Sequence, residues 1–309
     1  MKKLLLFFVL VLPVGLWAQQ LPERSPFGET GFLWNPAMTA PWTYYEIDAG
    51  FRQEWLGFED APQTAYLGIQ YPFEKENMSL GGYFMHDAVN PIKTNTFALT
   101  YAYKLEPGFK RYDQLSIGLM GSVTHIFVDG LDIVVKDPDD DFVPVGENNK
   151  LSPNVGFGAF YISQVRDPYK KNALYAGLGC TQSIPSNVIF DQTGSLGNFK
   201  RALHGNALFG ARIIKESMLL EPSVWVNYSV VNRLNVNLSF RIEQFDSFWA
   251  GLTYTTNQTL ALQVGSVFNK GFVKDGSLRA GLLGSYNIGT FGQARGLGFE
   301  CYLAYRFEL

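Results

Sequence analysis

A chain of 309 residues with 15% aromatic side chains, 31 glycines and only 17% charged residues is rich in strand and turn formers and poor in the residues that clothe soluble helices. Its formal charge of −3 is the wrong balance for a nucleic-acid binder, which needs a basic face. Two cysteines, Cys180 and Cys301, are too few for a disulfide framework.

Lys2-Lys3, the apolar run Leu4 to Val14 and Gly15-Leu16-Trp17-Ala18 read as a secretory signal peptide, residues 1–18. Its removal takes two lysines and leaves 23 basic against 28 acidic side chains, a charge of −5. No later apolar run reaches the ~20 residues of a spanning helix. If the exported chain enters a membrane, it must do so as a closed barrel, the other structure that satisfies every backbone group in hydrocarbon. Residues 19–42 carry four prolines and no sustained period, and read as a periplasmic N-terminal lead-in. Within them, Asn35-Pro36-Ala37-Met38-Thr39-Ala40 signals a tight turn. It either feeds the first strand or serves as a periplasmic contact or partial plug.

Residues 43–309 alternate. In the first strand, Thr43 to Trp55, Tyr45, Ile47, Ala49 and Phe51 oppose Glu46, Asp48 and Arg52. Three charges on one face of a strand suit a barrel with a polar interior better than a soluble sandwich. Further strands are predicted near 63–72, 77–88, 94–105, 112–128, 151–165, 172–182, 201–214, 218–230, 234–242, 247–256, 259–268, 277–288 and 297–309. The clearest sets Leu234, Val236, Leu238, Phe240 and Ile242 against Asn235, Asn237, Ser239 and Arg241. The last is equally regular. Leu303, Tyr305, Phe307 and Leu309 form the lipid-facing C-terminal signal of a barrel, with Arg306 turned to the lumen. The expected fold is therefore all-β: a transmembrane antiparallel up-and-down β-barrel of about 14 strands, with periplasmic N- and C-termini and outer-membrane localisation.

Loop length, aromatic placement and the cysteines bear on that expectation. The long connections, near 129–150 and 183–200, follow the fifth and seventh strands and so share one side, the outside. Trp42, Tyr44, Tyr45, Tyr71, Phe73, Tyr101, Tyr103 and Tyr112 gather near the periplasmic strand ends, where an interfacial girdle belongs. Cys180 and Cys301 both face outward on distant strands and are expected to be unpaired.

Motifs for chemistry are missing. His86, His125 and His204 stand alone, and neither HExxH nor GxSxG occurs, so neither catalysis nor a cofactor or metal is expected. The acidic connection from Asp129 to Lys150 lacks the spaced calcium pattern, and its carboxylates are read as solvated. Its apolar residues, Ile133 and Phe142 among them, suit a loop folded over the mouth or docked on a partner. Trp55, Phe58 and Pro62 mark the first outward hairpin as a second candidate contact. The lumen set of Glu46, Asp48, Arg52, Asn235, Asn237, Arg241 and Arg306 is mixed in charge. It would either brace the interior or line a weakly selective pore.

Asn35-Pro36-Ala37, Arg52-Gln53-x-Trp55-x-Gly57-Phe58, Ala61-Pro62-Gln63-Thr64 and Tyr71-Pro72-Phe73 occur in that order. They are followed by Asp137-Pro138, Leu151-Ser152-Pro153-Asn154-Val155-Gly156-Phe157-Gly158 and Tyr305-Arg306-Phe307. Together they resemble the PorP/SprF family of outer-membrane proteins that accompany type IX secretion and gliding. One departure is Arg201-Ala202-Leu203-His204, where the family more often has Arg and His adjacent, which bears on the register of the eighth strand. The resemblance implies a non-enzymatic barrel that assists secretion or surface anchoring of a protein, such as a gliding adhesin, through its C-terminal sorting domain. It also implies type IX secretion or gliding components as partners. The alternative from the residues is an outer-membrane channel or transporter for small or hydrophobic solutes.

Overall fold

Fourteen strands close into one antiparallel barrel in the computed structural model, which describes residues 30–129, 147–166, 169–188, 199–229, 233–245, 247–269, 276–288 and 296–308. The barrel strands of the first half are β1 (Tyr45–Gln53), β2 (Gln63–Phe73), β3 (Met78–Val89), β4 (Ile92–Leu105), β5 (Gln114–Asp129), β6 (Glu147–Ile162) and β7 (Ala173–Gln182). Two three-residue strands, β8 (Ser186–Val188) and β9 (Phe199–Arg201), pair with each other within the next connection. The second half supplies β10 (His204–Lys215), β11 (Met218–Ser229), β12 (Arg233–Gln244), β13 (Phe248–Thr255), β14 (Thr259–Phe268), β15 (Ser277–Asn287) and β16 (Leu297–Phe307). The predicted signal peptide, Ile133, Phe142 and Leu309 lie outside the described residues.

Each barrel strand pairs with its barrel neighbours in sequence, and β1 meets β16 from Tyr45↔Phe307 to Gln53↔Phe299. Closure gives every barrel strand a neighbour on both sides, the condition for placing a sheet in hydrocarbon. The alternation does the rest. Leu67, Phe97, Leu119, Phe157, Leu178 and Leu262 are each more than half exposed, while inward neighbours such as Tyr66, Ala98 and Met120 are buried. A band of that size all round the wall would be an aggregation surface in water. Against acyl chains it is the outer face of a membrane barrel.

Strand length and connection length separate the two rims. β5 and β6 run 16 residues each, beyond the ~9–11 that a tilted strand needs to cross a bilayer. β7 pairs only with Phe157 to Ile162 of β6, so the upper part of β6 rises without it. The connections 130–146 and 183–203 therefore share one rim, and both ends of the barrel sequence leave at the opposite one. At that opposite rim Tyr45, Tyr71, Phe73, Tyr305 and Phe307 form a chain of ring contacts with centroids 4.4 to 5.3 Å apart. Trp42 and Tyr44 do not join this girdle. They turn inward, under Arg212 at 4.9 Å and Arg306 at 4.7 Å, from the bends that lead into β1.

Two local expectations are refined. The eighth barrel strand starts at His204, with an irregularity between His204 and Gly205, and Arg201 belongs to β9 instead. Both cysteines are free. Cys180 sits opposite the outward Phe157 but is itself buried, at 7% exposure.

The interior is not uniformly polar. One cross-strand row runs Trp249↔Gly265↔Gly281↔Tyr302↔Gly50↔Tyr66 and interleaves large rings with glycines. The Trp249 indole lies flat across the glycine positions of β14 and β15. A Cβ on Gly265 would clash with it, and one on Gly281 would stand 2.9 Å from its ring. Overfilling so tight a site costs roughly 1–3 kcal/mol. Gly265→Val is therefore expected to lower the temperature at which the folded, fast-migrating gel form converts to the unfolded one. An unchanged transition would contradict this packing.

Candidate functional site: a filled lumen

The chain entering the barrel does not run beneath it. Residues 30–42 lie inside the lumen, where two 3₁₀ turns, Gly31–Leu33 and Pro36–Met38, fold the segment back on itself. Pro36 at the first helical position and the Asn35 side chain, which accepts from the Ala37 N–H at 3.0 Å, fix the second turn. Of the three roles open to Asn35–Ala40 from sequence, its burial is that of a plug. Thr30, Ala37 and Thr39 are completely inaccessible.

The wall is shaped to receive it. Gly118 of β5 pairs with Gly158 of β6, which pairs with Gly179 of β7, leaving three adjacent inward positions without side chains. A Cβ on Gly118 would clash with the backbone between Pro36 and Ala37, and one on Gly158 with the Asn35 amide oxygen. The Asn35 Nδ2 donates to the carbonyls of Ala159 and Leu178, each at 3.2 Å. Around this trough the wall reaches in. Asn206 donates to the Trp34 carbonyl at 2.8 Å, and Lys104 and Ser79 donate to that of Ala40 at 2.6 and 3.2 Å. Gln70 accepts from the Ala40 N–H at 2.8 Å, and Thr39 donates to Thr100 at 2.8 Å. Phe32, Leu33 and Trp34 then pack with the inward Tyr66, Tyr83, Phe160, Tyr175, Leu208 and Trp225 into one hydrophobic core. A barrel lumen lined this way is a protein interior, not a water-filled bore.

The opposite wall is braced by charge. The inward Glu243, 1% exposed, receives both guanidinium nitrogens of Arg279 at 3.0 and 2.9 Å, and Arg279 stacks 4.6 Å over Trp249. Arg241 joins Glu243 at 3.1 Å to Glu221 at 3.2 Å, and Glu221 accepts from the Tyr175 hydroxyl at 3.0 Å. Every charge in this chain has a partner, as burial demands. The other sequence-predicted lumen residues are also inward. Glu46 pairs with Arg306 and accepts from Gln70 at 2.9 Å. Arg52 pairs with Glu54, and Asp48 is 1% exposed. Asn237 accepts from Thr255 at 2.7 Å and Asn235 from Thr256 at 3.1 Å. Sequence reasoning missed Glu221, Glu243, Arg279 and Trp249. The spacing of Arg241 and Glu243, two apart on one strand, was the available signal for a shared face.

At the long-loop rim the described ends of the β7–β10 connection, 183–188 and 199–203, are held by inward side chains of β6. The inward Asn154 collects its start, accepting from the N–H groups of Ser183 and Ile184 at 3.1 and 3.2 Å and donating to the Ile184 carbonyl at 2.8 Å. Ser152 contacts Ser186 of β8 and accepts from Arg201 of β9, each at 3.1 Å. Burial there holds the Arg201 guanidinium below its ordinary pKa. On the same rim, the first hairpin exposes Trp55, Leu56 and Phe58 together around Gly57, whose φ of +94° makes the bend. Pro62 anchors its base by accepting from the Glu54 N–H at 3.0 Å. In the C-terminal signal, Leu303 faces outward and the rings of Tyr305 and Phe307 stack at 5.2 Å.

Seating of the segment should fail when the trough is filled. Gly118→Val is expected to leave the barrel folded but to make residues 30–42 cleavable by added protease in detergent, where the native protein resists. Equal resistance of the two would contradict the trough.

A family model for the type IX secretion system membrane protein PorP/SprF matches residues 16–305. No curated protein sequence matches the chain. Among solved structures it is similar to the Pseudomonas putida toluene transporter TodX, at 9% identity and a TM-score of 0.54, covering 91% of this chain and 94% of that one. It is also similar to the CymD monoaromatic hydrocarbon channel, at 12% identity and a TM-score of 0.52, covering 91% and 92%. Likeness at such identities speaks for the barrel fold alone. The family match is of another kind, since it runs from before the lumen segment almost to the end of β16. The chain is an outer-membrane β-barrel that belongs to the PorP/SprF family of type IX secretion system membrane proteins.

Proposed function

We propose that this barrel is a non-enzymatic outer-membrane anchor. It would assist type IX secretion, or hold a secreted protein such as a gliding adhesin at the surface, through that protein's C-terminal domain. The rim carrying both chain ends would face the periplasm, where other secretion or gliding components are met. The single observation that carries the reading is the filled lumen. A wall whose inward glycines are occupied by the chain's own residues 35–37 is built to stay closed, which suits a scaffold better than a solute path. Contact with the secreted partner is assigned to the opposite rim. The exposed Trp55 and Phe58 there form an apolar, aromatic tip of the kind that supplies binding energy at interfaces, with Pro62 at its base. Ile133 and Phe142 of the neighbouring long connection are the second candidate contact.

Two measurements test this. In planar bilayers the native protein is expected to carry no sustained current, and the Gly118→Val variant to show discrete openings. Large steady currents from the native protein would instead favour a channel for small or hydrophobic solutes. In co-isolation with a secreted protein's C-terminal domain, Trp55→Ala and Phe58→Ala should each weaken capture by about tenfold or more, the scale of an aromatic anchor. Undiminished capture by both would remove the hairpin from the proposed interface.

A further inference from the structure

At the rim where the chain ends leave, the connections 106–113 and 163–172 gather cations on one ring. The Tyr112 ring has the guanidinium carbons of Arg111 and Arg166 at 4.9 and 4.5 Å and the Lys171 ammonium at 6.0 Å. Tyr112 itself is held in the left-handed region, φ +69°, and its carbonyl accepts from the Val165 N–H at 3.0 Å, which ties the two connections together. Among the described residues none of these three cations has a carboxylate at ion-pair distance. The neighbouring Asp113 is committed elsewhere. It accepts from the N–H groups of Gly108 and Lys110 at 3.3 and 3.0 Å and from the Tyr161 hydroxyl at 3.3 Å. Three like charges drawn together, with no carboxylate at ion-pair distance among the described residues, repel one another, and a bound anion relieves that repulsion.

The position says which anion. Phe109, 78% exposed, packs on Tyr161 with centroids 6.3 Å apart, and Tyr161 shares the outward parity of Phe157 on β6. The lipid-facing wall continues directly from there through Leu105 and Ile117, both exposed. An aromatic side chain that ends the apolar band, with cations just beyond it, matches the depth profile of a phospholipid, acyl chain first and headgroup next.

We infer that the Tyr112 cluster is a binding site for the anionic phosphate headgroup of a phospholipid in the leaflet at this rim. The ring gathers the cations by cation–π attraction, the guanidinium groups of Arg111 and Arg166 donate to phosphate oxygens, and Phe109 lies along the acyl chains.

Native mass spectrometry of the full-length mature protein, released from mixed vesicles of phosphatidylglycerol and phosphatidylcholine, tests this. The protein is expected to retain phosphatidylglycerol preferentially, and Arg111→Gln/Arg166→Gln/Lys171→Gln to lose at least about fivefold of that preference while keeping its heat-modifiable gel shift. Tyr112→Leu keeps every cation and should lose about twofold or more. Lys75→Gln/Lys215→Gln removes charge from other turns of the same rim and should lose nothing. Soluble glycerol phosphate added in excess should not displace the lipid. Four results would overturn the proposal: no preference in the native protein, a preference intact in the triple variant, equal loss in the Lys75/Lys215 control, or full displacement by soluble phosphate. Capture of an acidic protein segment that depends on Arg111 and Arg166, with no lipid preference, would reassign the cluster to a protein partner and equally defeat it.

Discussion

The interior of this barrel depends on a place where the wall has no side chains. With Gly118, Gly158 and Gly179 side by side, the sheet presents bare backbone to the lumen. The Asn35-Pro36-Ala37 turn can then approach closely enough for its amide to reach the carbonyls of Ala159 and Leu178. Once it is seated there, the three apolar residues before it are carried into contact with the inward rings of β2, β3, β6, β7 and β11. Burying those rings against Phe32, Leu33 and Trp34 gives the barrel a hydrophobic core, which an empty bore of the same diameter would lack. The polar residues Gln70, Ser79, Lys104 and Asn206 satisfy backbone groups that the segment would otherwise bury unpaired, and Thr100 takes up the Thr39 hydroxyl.

The two halves of the lumen solve the same problem by different chemistry. Where the entering segment reaches, space is filled by apolar contact; from β11 to β15 it is spanned by the Glu221–Arg241–Glu243–Arg279 chain. A buried ion network of this kind contributes little net stability over an apolar equivalent, but it penalises wrong register strongly, since each displaced charge would be left unpaired. Glycines facing Trp249 let its ring lie down across β14 and β15.

Much of the architecture was legible because one period governs it. Asn235, Asn237 and Arg241 alternate with Leu234, Leu238 and Phe240, so both their strand and their inward face could be read directly from spacing. The strand count, the side carrying the long connections and the closing strand followed from the same rule. What alternation could not reveal was an apolar interior. Tyr66 and Leu67, or Leu174 and Tyr175, are neighbours that are both hydrophobic, and nothing in the pair says which meets lipid and which meets the core. The same limit hid the inward turn of Trp42 and Tyr44. Partners such as Arg279 for Glu243 come from strands 36 residues apart in sequence, and only register brings them together. For the lumen segment there was a sequence signal, the Asn35-Pro36 turn within a proline-rich stretch, but its destination is set by glycines more than 80 residues away.

The claim that most needs testing is that Ala37 is inside the folded barrel. In a background with Cys180→Ser and Cys301→Ser, Ala37→Cys can be challenged with a water-soluble maleimide, beside Phe58→Cys at the exposed hairpin. The account predicts that the cysteine at position 37 stays unlabelled while the protein migrates in its folded form and labels fully after heating, whereas the one at position 58 labels at once. Labelling of both at similar rates in the folded form would contradict it.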